Sequence, residues 1–77
     1  MPWLDIIWTE EATEKIAAHG VRSDEAEYVL MHGRHMTSHS SGRPLAVGRT
    51  EAGRWLIVVY QQVDTITALP ITAYEPD

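Results

Sequence analysis

Three arginines (Arg34, Arg43, Arg49) and three histidines (His32, His35, His39) fall between Tyr28 and Thr50, a stretch without a single Asp or Glu. The chain around it is acidic. Seven of the eleven carboxylates lie at or before Glu27, so a net charge of -5 conceals a locally cationic window. Imidazole and guanidinium groups together are what metal-free phosphodiester chemistry requires. Cleaving RNA needs a base for the 2′-hydroxyl, an acid for the leaving oxygen and positive charge on the transition state, and His and Arg supply all three near neutral pH. Arg49 and Arg54 flank a hairpin signal, and in a strand Arg43 points along the same face as Arg49, so the set could form an anion site. Arg34 and His39 are further phosphate-binding candidates from the same window. Any one of these arginines alone is more often a solvated surface residue; their joint placement in an acid-free stretch is what singles them out.

Other chemistries fit less well. The spacing of His32, His35 and His39 would allow convergence on a metal, but no acidic residue lies in the window to orient the rings, and a Ser-rich loop with surface histidines explains the same pattern. No metal and no cofactor is expected. The absence of cysteine excludes disulfides, thiolate metal sites and a thiol nucleophile. There is no Gly-x-Ser-x-Gly elbow, since Ser40, Ser41 and Gly42 read as a turn, and no phosphate-cradling P-loop or GxGxxG. Glu10, Glu11 and Glu14 fall in a helix's first turns, where they complement its dipole. Trp3, Trp8, Trp55, Tyr28, Tyr60 and Tyr74 could stack nucleobases. In a chain without Phe, however, the rings are needed for the core, and Trp8 and Trp55 are expected to be mostly buried.

The elements that must position these groups follow from local signals. Trp3 to Trp8 reads as a short strand leading into a helix with Thr9 as N-cap, which runs to about His19 before Gly20. A second helix starts at Ser23 or Asp24, carries Ala26, Val29 and Leu30 on one face and ends at Gly33. Arg34 to Pro44 reads as a strand edge passing into a mobile loop. Leu45 to Thr50 and Arg54 to Val63 form a hairpin, with Gly53 in the left-handed conformation that a tight turn requires. Trp55 to Tyr60 is apolar on both faces, as in a central strand. Thr65 to Tyr74 is a last strand, in which Pro70 marks an edge or a bulge. The order is β-α-α followed by a three- or four-strand antiparallel meander, an α+β domain with both helices on one sheet face.

At 77 residues this is one domain, 1–77, near the size at which a partner or a homodimer would help a single core. A content of 44% hydrophobic and 22% charged residues is that of a globular chain rather than a disordered acidic one. The longest apolar run, Trp55 to Tyr60, is far too short to span a bilayer, and the first residues lack the pattern of a signal peptide. A soluble cytoplasmic protein, with no membrane association, is the expectation.

Taken together, Trp8, Lys15-x-x-x-His19-Gly20-Val21, Ser23-Asp24-Glu25-Ala26, Gly48-Arg49-Thr50-Glu51-x-Gly53-Arg54, Val58-Val59-Tyr60 and Ile71-Thr72-Ala73 resemble the BrnT family of toxins from type II toxin–antitoxin systems. The likeness spans most of the chain in the right order. It implies a RelE-like α+β fold, ribonuclease activity without a metal, and neutralisation by a DNA-binding antitoxin partner. It also implies that His19 and Arg49, with nearby basic residues, belong to the active face. Lys15 lies one helical turn before His19 and would share its face, where it could hold phosphate or tune the imidazole. The chain departs from the family at Ala12 and Ala18, where basic residues are usual, and in the acidic run Glu75-Pro76-Asp77, where an arginine and a basic helix commonly follow. A shortened, divergent relative is therefore expected. Two functions stay open: an RNA-cleaving toxin, and a catalytically inactive relative that serves as a protein-interaction or homodimeric binding module.

Overall fold

A computed structural model describes residues 5–76. The elements are β1 (Asp5–Ile6), α1 (Glu10–Ala18), α2 (Ser23–His32), β2 (Arg34–Thr37), β3 (Pro44–Arg49), β4 (Trp55–Asp64) and β5 (Thr67–Tyr74). The strands form one sheet in the order β1-β5-β4-β3-β2, an antiparallel meander from β2 to β5 with β1 added parallel beside β5. This is the expected α+β arrangement. The first strand is shorter than expected: only Asp5 and Ile6 pair with β5, and Trp3 lies outside the described residues.

Each helix is bounded by the residues that its chemistry demands. The Thr9 hydroxyl accepts the Ala12 N–H at 3.1 Å, and Ala12 and Ile16 supply the buried face of α1. Gly20, at φ 73°, ends that helix in a Schellman turn. Its N–H donates to the Ala17 carbonyl, the Val21 N–H donates to the Ile16 carbonyl at 2.9 Å, and the two apolar side chains then enter the core together. The cap of α2 is Arg22, one residue earlier than the sequence suggests. Arg22 offers no side-chain acceptor, so only half of a capping box forms: the Glu25 carboxylate accepts the Arg22 N–H at 3.0 Å.

The two faces of the sheet are unlike. Ala46, Leu56, Val58, Tyr60, Ala68 and Ala73 meet Ile16, Val21, Ala26, Val29 and Leu30 in one buried cluster, so both helices lie on that face. Gly33 and Gly48 allow the end of α2 to touch the sheet. A Cβ at Gly33 would stand 2.6 Å from the Val29 carbonyl oxygen and 2.7 Å from that of Val47, while one at Gly48 would stand 2.9 Å from the Gly33 Cα. Side chains of the opposite parity, Leu45, Val47, Ile57 and Val59, point away from the helices and remain partly exposed. The register β-bulge between Val59 and Tyr60 falls at Pro70 and Ile71, where the proline's missing donor is tolerated.

One expectation about the rings is corrected here. Trp55 is 48% exposed, because it stands on the parity that faces away from the helices. Trp8 is, as expected, mostly buried against the core, and its Nε1–H donates to Glu27 at 2.7 Å.

Candidate functional site

His19 is the cap residue at the C-terminus of α1, held there by the Schellman turn. Its exposed ring lies 6.0 Å from that of Tyr74 at the end of β5. Lys15 shares that side of the helix, but its Nζ leans back to Glu11, 4.0 Å away. Exposed i,i+4 pairs of this kind are weak, so the lysine is free to swing.

Arg49 and Arg34 occupy the face turned away from the helices. Arg49 pairs across the hairpin with Trp55, and its guanidinium carbon sits 4.9 Å from the indole centre, a cation–π contact. Arg34 pairs with Val47 on the edge strand β2. Between them lies a shallow groove of about 430 Å³ lined by His32, Arg34, Met36, Val47 and Trp55. Among the described residues, no carboxylate lies within ion-pair distance of Arg34, Arg43 or Arg49. One row of the sheet runs Tyr74, Ile57, Val47, Arg34 across β5, β4, β3 and β2. At a strand spacing of about 4.8 Å, Tyr74 and Arg49 are separated laterally by roughly 10 Å, with Ile57 and Trp55 between them. His19 thus meets the sheet at the Tyr74 end of this row, two strands away from Arg49.

The remaining candidates lie elsewhere. Arg54 is enclosed: its Nε–H donates to Glu75 at 2.8 Å, and Nη1 donates to the Gly20 carbonyl at 2.8 Å and to Glu25 at 3.4 Å. The hydrogen bond to Glu75 raises the arginine's already high pKa and lowers that of Glu75. Arg54 ties the loop after α1, the first turn of α2 and the end of β5 into one clasp. Its position on the parity of Leu56 directs it toward the helix layer. Arg43 and His39 sit at the far end of the β2–β3 hairpin, whose turn is closed by Ser38 N–H to Arg43 O at 2.8 Å and Gly42 N–H to Ser38 O at 2.9 Å. At about 3.3 Å per residue, Arg43 is roughly 20 Å from Arg49 along the strand. It borders its own shallow hollow with Tyr60, Gln61 and Ile71.

His35 has a structural role. Its Nε2–H donates to the Leu30 carbonyl at 2.9 Å, and its Nδ1 is hydrogen-bonded to the Tyr60 hydroxyl at 2.9 Å. Burial raises the Tyr60 pKa, which keeps the phenol protonated as donor. Among the described residues, no three His, Asp or Glu side chains converge in a way that could hold a metal ion. Sequence reasoning missed Trp55 and Tyr74 as members of the open face. The hairpin signal held the clue for Trp55, since a turn centred on Glu51 to Gly53 places residue 55 opposite residue 49.

The architecture, two helices on one face of a five-stranded sheet, has a counterpart among solved structures. The crystal structure of BrnT, a ribonuclease toxin of Brucella abortus, superposes with a TM-score of 0.73 over 95% of this chain and 96% of that one, at 22% sequence identity. The two chains share a fold over nearly their whole lengths, as the sequence resemblance implies. No family model matches the sequence, and no curated protein is significantly similar to it. Among the described residues, no helix is long and apolar enough to cross a membrane.

Proposed function

We propose that this chain is a metal-independent ribonuclease of a toxin–antitoxin pair, acting in the cytoplasm and held inactive by an antitoxin protein. The observation that carries this reading is the pairing of a BrnT-like fold with Arg49 on the open sheet face, within ion-pair distance of no carboxylate among the described residues, and an exposed His19 ring that meets the same sheet at Tyr74. His19 serves as acid or base, since its exposed ring at the C-cap of α1 carries one nitrogen able to donate and one able to accept. Arg49 neutralises the phosphate whose charge grows in the transition state, and Lys15 can swing from Glu11 toward the same anion. Arg34 extends the cationic track along the sheet, and Arg43 and His39 meet a more distant part of the strand. The test is incubation of purified protein with total RNA in EDTA. Cleavage by the wild type that disappears in His19→Ala and Arg49→Ala supports the assignment; equal cleavage by all three proteins removes it.

A second reading has its own observation. Leu45, Val47, Ile57 and Val59 leave an apolar strip on the face away from the helices, the kind of surface that marks an interface. An inactive, tightly homodimeric chain whose induced expression leaves growth untouched would favour a binding module.

A further inference from the structure

We propose that the groove beside Trp55 is a nucleobase subsite, in which one base of a single-stranded RNA stacks on the indole while Arg34 and Arg49 hold the flanking phosphates. This rests on the RNA reading above and adds to it a residue that binds the base rather than the phosphate. Trp55 is a large ring that the core leaves exposed. It is 48% exposed, whereas Tyr60 is 5% exposed and Trp8 is packed against the core. Arg49 covers part of the ring at 4.9 Å, which leaves an indole beside a groove of about 430 Å³ with Met36 and Val47 as apolar walls. A base is apolar on its faces and carries an anionic linkage on each side. The groove matches both properties: Met36, Val47 and Trp55 give it apolar surface, Arg34 lines it and Arg49 stands on Trp55 beside it, and neither arginine has a carboxylate within ion-pair distance among the described residues. A segment of protein would need acidic groups spaced to meet the same two arginines, a stricter condition than any RNA strand must satisfy.

Protein labelled with 5-fluorotryptophan, with the Trp55 resonance assigned from Trp55→Phe, is titrated with a short single-stranded RNA and with an abasic strand of equal length. The subsite predicts that the RNA moves the Trp55 resonance while the abasic strand does not. Trp55→Ala then weakens RNA binding by about tenfold or more, with little effect on the abasic strand, and Trp55→Phe retains most of the affinity. Equal binding of both strands, unchanged by Trp55→Ala, would overturn the subsite and leave the cleavage reading standing. Failure of both strands to bind overturns both readings. A Trp55 resonance that moves with protein concentration and no further with RNA would assign the groove to a second copy of the chain and overturn the subsite alone.

Discussion

Arg49 and Arg54 stand on either side of one tight turn, five positions apart, and meet opposite fates. Thr50 and Gly53 close that turn, with the Thr50 N–H donating to Arg54 O at 2.7 Å and the Gly53 N–H to Thr50 O at 2.9 Å. Strand alternation then sends Arg49 to the open face beside Trp55 and Arg54 toward the helix layer, where Glu75, Glu25 and the Gly20 carbonyl enclose it. The lesson is that a cation's sequence neighbourhood says little about its availability. What decides is which face it occupies and whether carboxylates from other elements arrive there. The sharpest way to break this contrast is to remove each arginine in turn. Arg49→Ala should cut RNA cleavage by about 100-fold or more, the scale seen when a group stabilising a transition-state oxyanion is lost. Its melting temperature should stay near that of the wild type, because among the described residues only an exposed cation–π contact, and no ion pair, is removed. A matching loss of activity and stability would mean that Arg49 also serves the fold.

The same alternation separates two neighbours on β4. Leu56 is fully buried in the cluster beneath the helices, while Ile57 is partly exposed on the other side. Leu56→Ala should therefore destabilise by roughly 2–5 kcal/mol through lost burial and the cavity left behind. Ile57→Ala should cost about 1 kcal/mol or less, measured by urea unfolding, since much of that side chain is already in contact with water. If Ile57→Ala proved as costly as Leu56→Ala, the open face would have to be covered in solution, as a homodimer would cover it.

How much of this was legible in the sequence depends on the range of the interaction concerned. Thr9, Gly20, Gly33 and Gly53 mark their elements through chemistry within a few residues, and the structure uses each where the sequence places it. The N-cap of α2 falls at Arg22 because the Glu25 carboxylate can satisfy the Arg22 N–H without a cap side chain, which makes Ser23 dispensable in that role. The parallel pairing of β1 with β5 joins residues about sixty positions apart, and no local pattern encodes it. For the site, the acid-free window contains Arg34 and Arg49, which among the described residues have no carboxylate within ion-pair distance, but it does not show that Arg43 lies roughly 20 Å from Arg49. Trp55 was expected in the core because rings usually go there. Strand alternation overrode that preference, since Leu56, Val58 and Tyr60 had already taken the buried parity.

Arg54 offers a gentler probe. Its clasp joins Gly20, the residue after His19, to Glu75, the residue after Tyr74, so one guanidinium sets the spacing of both rings. Arg54→Ala should lower the melting temperature by a few degrees and shift the NMR ring signals of His19 and Tyr74, with a smaller loss of cleavage than Arg49→Ala produces. Arg54→Lys keeps the charge but not the forked donors, and should recover only part of the lost order. Ring signals left in place by Arg54→Ala would show that the Schellman turn alone positions His19.

The smallest effect should come from protonating the clasp. The Arg54 hydrogen bond holds the Glu75 carboxyl below its ordinary value of 4.5. A carboxyl with its folded pKa below its unfolded one binds more protons in the unfolded chain, so its stabilisation is complete above about pH 4.5 and fades as pH falls through the lowered value. Asp24 titrates with the same sign because Arg22 hydrogen-bonds to it, yet it contacts neither ring. Glu75 and Asp24 are both exposed to water, so both contributions are slight and shrink further in salt. The Tyr74 ring signal separates them. On acidification in the wild type it should move along the Glu75 titration, whereas in Glu75→Gln it should hold still over the same range while the Asp24 signal continues to titrate. A Tyr74 signal that moves equally in both proteins would show that the ring follows some other group, and that the clasp does not govern the His19 end of the face.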